Sequence, residues 1–397
     1  MSEHRLQKEP LKKPLPLKVT YLGNALFCAG VILYAVGYYA EPRHAAFNNL
    51  IQFLFLTSIA VGALFLIALE YISGAMWSVP MRRVNEFLAG LIPFTPLLAI
   101  PLFFHFDELF HWAHTNVIAT DELLTAKAPY LDYNFFILRF AGTFALWTLF
   151  YLLFTRNSLK QDFIKGSQGD IYTRKNIRLS AIFLPVFAIT VTFLAIDWAM
   201  SLEPHWYSTI IGIYFFSGVV ISALAAATYI IIRFHETGRL TGLHRDHFYS
   251  LGSLMFVFVN FWAYIAFSQF MLIWYANLPE ETFWFMKHWQ NGWQAVSILL
   301  IIVQFAVPYA VLLPQEAKMD PKRLKFIALW LLAAHWLDLY WFVIPTFDAI
   351  VTFGWMEMSF PLLVIGFIIM VVAWKAKKHN LIPIGDPKLE RGMEFHL

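Results

Sequence analysis

Glu70, Glu86, Arg139, Asp197, His335, Asp338 and Glu357 all interrupt long apolar runs of this sequence. An ionisable side chain in such a run is costly, so each is a candidate for function. Arg139 falls about 10 Å into its run, counted at the helical rise, and a guanidinium there needs an anion. Asp197, Asp338 and Glu357 reach overlapping depths, with Glu357 some 14 Å down its own helix. His335 and Asp338 are three residues apart in HWLD and so share one helix face. Carboxylates and an imidazole at staggered depths are the material of a proton relay. The same set could instead be a fixed ion-pair cluster that pins helices together. Neutral Asn260 and Gln304 would extend a relay inward. Glu70 shares its face with Ser73 and Trp77 and has no local cation, which leaves a functional and a structural role equally open. Glu86 lies four residues after Arg82 and three after Arg83, in a first helical turn. There the helix dipole and its own arginines suit a structural acid.

These groups need helices that cross a bilayer, each about 20 mostly apolar residues long. Ten such runs occur, at approximately 19–40, 49–76, 84–104, 133–155, 179–200, 208–232, 248–276, 289–313, 325–345 and 350–374. Of 397 residues 59% are hydrophobic and 14% charged, against roughly 25% charged in a soluble domain. The expected class is an all-α polytopic membrane protein with ten transmembrane helices. The first 18 residues are basic and Pro-broken and lack the apolar core of a signal peptide, so the mature chain is expected to begin with them.

Lysine and arginine set the expected orientation. The N-tail, the 77–83, 156–178, 233–246 and 315–325 segments and the C-tail hold 25 of the 29. The alternate loops hold only Arg43, Lys127 and Lys287. Both termini are therefore expected in the cytoplasm. The acidic 105–132 loop is expected outside, carrying a short surface helix. A faint echo links Asp197-Trp198 and Pro204 to Trp336, Asp338, Trp341 and Pro345, four spans later. It suggests two parallel four-helix bundles, of helices 2–5 and 6–9, flanked by helices 1 and 10. The expected division is a tail (1–18), helix 1 (19–47), the first bundle with its outer loop (48–207), the second bundle (208–349), helix 10 (350–376) and a C-tail (377–397).

Cys28 is the only cysteine, which excludes a disulfide framework, a thiolate zinc site, an iron–sulfur cluster and a CxxCH haem. His335 is the one deep histidine of 13, so a bis-histidine b-haem is not expected. A carboxylate–histidine metal site between helices 9 and 10 is a weaker alternative. The sequence lacks GxxxxGK[ST], so nothing points to ATP-driven transport. A net charge of +3 gives no sign of nucleic acid. The abundant aromatics suit lipid-facing and interfacial positions. A quinone headgroup would also favour an aromatic slot ending in a histidine or carboxylate.

Four segments carry a family resemblance: AKAPYLDYNFFILR (126–139), IDWAMSLEPHWYSTIIGIYFFSG (196–218), FWAYIAFSQFMLIWYANLPEET (261–282) and HWLDLYWFVIP (335–345). They closely resemble the ActF subunits of bacterial alternative complex III, a quinol:electron-acceptor oxidoreductase. The resemblance implies a ten-helix NrfD-like subunit without its own redox centre in the bacterial inner membrane. Its implied partners are a second NrfD-like subunit, an iron–sulfur subunit and haem-c subunits on the outer side. In that family quinol oxidation is better attributed to the second subunit, and a quinone bound to this chain is left open. The expected role is anchoring, with proton conduction through Glu70, Arg139, Asp197, His335, Asp338 and Glu357. A secondary transporter and a purely structural scaffold are the alternatives. The confinement of Pro interruptions mainly to helix 3, at Pro93, Pro96 and Pro101, speaks against the transporter.

Overall fold

The computed structural model describes residues 12–114, 121–164 and 170–397. It is an all-α molecule with ten helices long and apolar enough to cross a membrane, here named α1 to α10. They are α1 (Leu17–Ala40), α2 (Pro42–Ser73), α3 (Val79–Phe104), α4 (Tyr133–Gln161) and α5 (Asp170–Leu202). The second half comprises α6 (Ile211–Glu236), α7 (Arg245–Ala276), α8 (Trp293–Leu312), α9 (Pro321–Phe347) and α10 (Trp355–Lys378). The helix starts use ordinary signals. Pro42 and Pro321 occupy first turns, where the missing N–H costs nothing, and Asp132 and Asp320 cap α4 and α9 through side-chain oxygens.

Two of the ten depart from a continuous α-helix. Helix α3 alternates short 3₁₀ turns (Val79–Met81, Ile92–Phe94) with α segments (Arg82–Ala89, Pro96–Phe104). Its prolines at 80, 93, 96 and 101 remove backbone donors and impose the breaks. Helix α8 contains a π-helical turn, Ile302–Ala306, with Gln304 inside it. Among its described residues the 105–132 loop, expected to carry a short surface helix, holds short helical pieces at Phe106–Leu109, His111–Ala113 and Glu122–Lys127. Residues 115–120 of that loop lie outside the described residues.

Helices α2 and α6 are apolar around their whole circumference and almost entirely buried, so they form the centre. Helix α2 packs on α3, α5, α6 and α9, and α6 packs on α5, α7 and α9. Helices α4 and α5 pack together, and α8 lies against α7 and α9. Helix α1 lies mainly against α10, and both touch α2. Both tails come to the same end. Lys13 donates to the Gly238 carbonyl at 3.0 Å and Arg239 donates to that of Pro14. Lys388 in the C-tail donates to the Gly74 carbonyl at 3.1 Å. This end carries most of the cations and is called the basic end below.

Candidate functional site

Asp338 is buried on α9, where three helices meet at its carboxylate. It accepts a hydrogen bond from the Tyr214 hydroxyl on α6 and another, at 3.3 Å, from the Trp262 indole N–H on α7. Both donors are neutral. His335 lies one turn deeper on the same face and is 1% exposed. Among the described residues neither of its ring nitrogens has a hydrogen-bond partner. An unmade bond on a buried polar group costs about 1–3 kcal/mol, so this imidazole calls for a partner beyond the side chains around it. Its ring stacks near Phe55 of α2, with centroids 5.9 Å apart. On the α6 side Gly218 makes room for it: a Cβ there would lie 2.7 Å from His335 Cε1. Tyr214, Gly218, His335 and Asp338 line one cavity of about 10 Å³. That is close to the least space that holds a single water.

Arg139 reaches Asp197 across the α4–α5 contact. Nε is 2.9 Å from Oδ2, and the Nη2 amine is 2.9 Å from Oδ1. The other amine donates to the Tyr130 carbonyl at 2.9 Å. The rings of Tyr130 and Phe135 cover the guanidinium at 3.9 and 4.4 Å from Cζ. Both carboxylate oxygens and all three guanidinium nitrogens are engaged. The pair is a two-pronged clamp between helices.

Glu357 sits in the first turn of α10, nearer the membrane surface than the expected 14 Å, because the helix begins only at Trp355. It accepts from Asn48 on α2 at 2.8 Å and from the Gly354 N–H at 2.8 Å. His44 Nε2 lies 2.7 Å from the same carboxylate, and its ring stacks on Phe347 with centroids 4.8 Å apart. Arg139 was expected to meet at least one of Asp197, Asp338 and Glu357 and meets Asp197, while the three acids fall into three sites. Helix α9 turns Asp338 toward α6 and α7, and α10 turns Glu357 toward α2, so neither acid bonds to Arg139.

At the basic end Glu70, which has no local cation on its own helix, is paired with one from α3. Arg82 Nε donates to it across the α2–α3 turn, and the same guanidinium bonds the Tyr71 hydroxyl and Asp386 of the C-tail, each at 2.7 Å. Arg83 pairs with Glu86 at 2.5 Å, as its spacing suggested, and also with Asp162 at 2.7 Å. Burial pushes the Asp162 carboxyl above the usual range, outweighing the adjacent Arg83. At the opposite end His288, beyond α7, is pushed down to about 4 by burial. Its ring nitrogens face the Trp284 and Trp341 carbonyls at 2.7 and 3.0 Å.

The two neutral candidates part company. Asn260 is half-buried and donates to the Phe256 carbonyl of its own helix at 2.7 Å, so its amide does not bridge helices. Gln304 is fully buried, and among the described residues neither of its amide atoms is bonded. Gln52 and Thr57 on α2 and Thr228 on α6 are likewise buried without a side-chain partner. Sequence reasoning missed Tyr214, Trp262, His44 and Asn48. Ring and amide side chains attract no notice in an aromatic-rich chain, and Tyr214 and Asp338 are 124 positions apart. No family model matches the chain, and no curated protein matches it either.

Proposed function

We propose that this chain is a membrane subunit, without a redox centre of its own, of a quinol:electron-acceptor oxidoreductase of the alternative complex III type. It anchors that complex in the bacterial inner membrane and carries protons through Asp338 and His335. Four sequence segments that resemble ActF subunits support the family reading. The charge split supports cytoplasmic termini at the basic end. On this reading the haem-c and iron–sulfur subunits cover the opposite end, and the second NrfD-like subunit lies alongside.

One observation carries the proton role. Among the described residues Asp338 is bonded only by neutral donors and shares a water-sized cavity with an imidazole that has neither nitrogen bonded. A carboxylate in this position can exchange roles with Tyr214. Ionised, it accepts the phenol proton in a hydrogen bond; protonated, its own O–H donates to the phenol oxygen. His335, one turn inward, is the next base, reached through a single bridging water. Gln304, Gln52, Thr57 and Thr228 are neutral polar positions that could orient waters further inward. Glu70, Glu86 and Asp197 are held by arginines and serve as fixed ties between helices. Small-molecule pockets measure roughly 300–1,000 Å³. A quinone head does not fit the cavity of about 10 Å³ at Asp338, and no quinone step is assigned to it.

The test is Asp338→Asn in the assembled complex. That change keeps the hydrogen-bonding shape and removes the exchangeable proton. Haem content and assembly should be normal, and quinol oxidation in sealed vesicles should build a smaller pH gradient per electron. Electron transfer in detergent should suffer less. An unchanged proton-to-electron ratio would exclude Asp338. Loss of assembly would favour a purely structural role.

A further inference from the structure

We propose that a groove at the basic end, between α4 and α10, binds the phosphate of an anionic phospholipid. The groove measures about 320 Å³ and receives Arg156 and Lys160 from α4 and Lys375 from α10. Arg156 and Lys160 are four residues apart on one exposed face, and among the described residues neither side chain makes a hydrogen bond or ion pair. Lys375 is 9% exposed and donates one N–H to the Tyr151 hydroxyl at 2.6 Å, leaving further donors. Glu86 is near enough to Lys375 for a charge interaction, but Glu86 and Asp162 are both bonded to Arg83. Three cations thus converge, and among the described residues no carboxylate makes an ion pair with any of them.

The apolar surroundings favour a lipid over a free anion. Leu152, Leu159 and Phe163 share the groove, and Phe163 is 90% exposed. Toward the membrane interior, Leu152, Leu149 and Leu146 continue as an exposed row three residues apart, a track for an acyl chain. Trp374 is half exposed beside Lys375 and Lys378, whose amines lie 4.9 and 5.2 Å from its ring. An indole among lysines marks the headgroup level of a bilayer. A basic recess between spanning helices on the cation-rich side suits an anionic headgroup.

The experiment is native mass spectrometry of the full-length chain in detergent. The chain is titrated with phosphatidylglycerol, with phosphatidylcholine of the same acyl chains, and with inorganic phosphate. Phosphatidylglycerol should bind as one tight adduct, with phosphatidylcholine weaker and phosphate undetected. Each cation near a bilayer surface contributes roughly fivefold, so Arg156→Gln/Lys160→Gln should loosen phosphatidylglycerol about thirtyfold. Arg174→Gln/Lys175→Gln, at the same end outside the groove, should not. Equal retention of the two lipids, or unchanged affinity in the groove variant, would overturn the site. Phosphate binding as tightly as the lipid would overturn the lipid assignment. Should the groove variant aggregate, the wild type still decides. Photoactivatable phosphatidylglycerol should label peptides within residues 146–163, and labelling confined elsewhere would refute the proposal.

Discussion

Among the described residues Arg139 has Asp197 as its sole carboxylate partner, although three acids lay at suitable depths along the sequence. Its charge is satisfied by a fork, a backbone carbonyl and two rings, which is how a fixed tie is built. Arg139→Leu would leave the Asp197 carboxylate buried without its cation. Removing one partner of a buried pair costs about 3–5 kcal/mol, whereas replacing both with apolar groups of similar size is often neutral. The single variant should therefore lose most of its melting temperature margin in detergent, and Arg139→Leu/Asp197→Leu should regain it. A double variant as unstable as the single one would contradict the tie. The contrast with Asp338 is chemical: neutral donors surround that carboxylate, so its replacement by Asn should change proton traffic more than stability.

At the scale of elements, the sequence located ten spans because each is a long apolar run, and α-helix is the only open way to satisfy a backbone in lipid. The ends were less legible. Helix α2 starts at Pro42 and α5 at Asp170, because polar residues such as His44, Asn48 and Asn176 continue a helix whose pairing partners come from elsewhere. The seam between α1 and α10 did have a written signal, in glycines at 23, 30 and 37, each seven residues apart. All three are buried on a helix that is otherwise mostly exposed. A Cβ on Gly30 would lie 2.5 Å from the Leu363 backbone, and one on Gly366 would lie 2.4 Å from the Phe27 amide nitrogen. Backbone cannot give way as a side-chain tip can. Gly30→Leu should force the helices apart at a cost of about 1–3 kcal/mol, the usual range for overpacking. The expected readout is a lower melting temperature with protease cleavage between α1 and α2. An unchanged melting curve would show that the seam contributes little.

For the molecule as a whole, the charge asymmetry readable in the sequence becomes a network that closes one end. Long-range pairing hid this, since Arg82 and Asp386 are 304 positions apart and the apolar run 381–384 is too short to announce a docked segment. The C-tail crosses the basic end through several bonds. Asn380 donates to Asp162 at 3.2 Å, Asp386 accepts from Arg82, Lys388 caps the Gly74 carbonyl, and His247 Nε2 meets the Gly392 carbonyl at 2.8 Å. Asp386 is buried among these contacts, with a side chain 0% exposed and opposite an arginine that also holds Glu70. Arg82 is thus the junction through which the tail, α2 and α3 are joined. Asp386→Asn keeps the shape and weakens one charge-assisted bond, worth about 1.5–3 kcal/mol. Glu70 remains to satisfy the guanidinium, so the spanning helices should stay folded while the tail loosens. Protease should then cleave beyond Lys378 in the variant and not in the wild type, with little change in helical content. Because Glu70 and Asp386 share one cation, Glu70→Gln/Asp386→Asn should cost more than the two single changes added together. Additive effects would mean that the tail is held by its other bonds and that Arg82 is no junction.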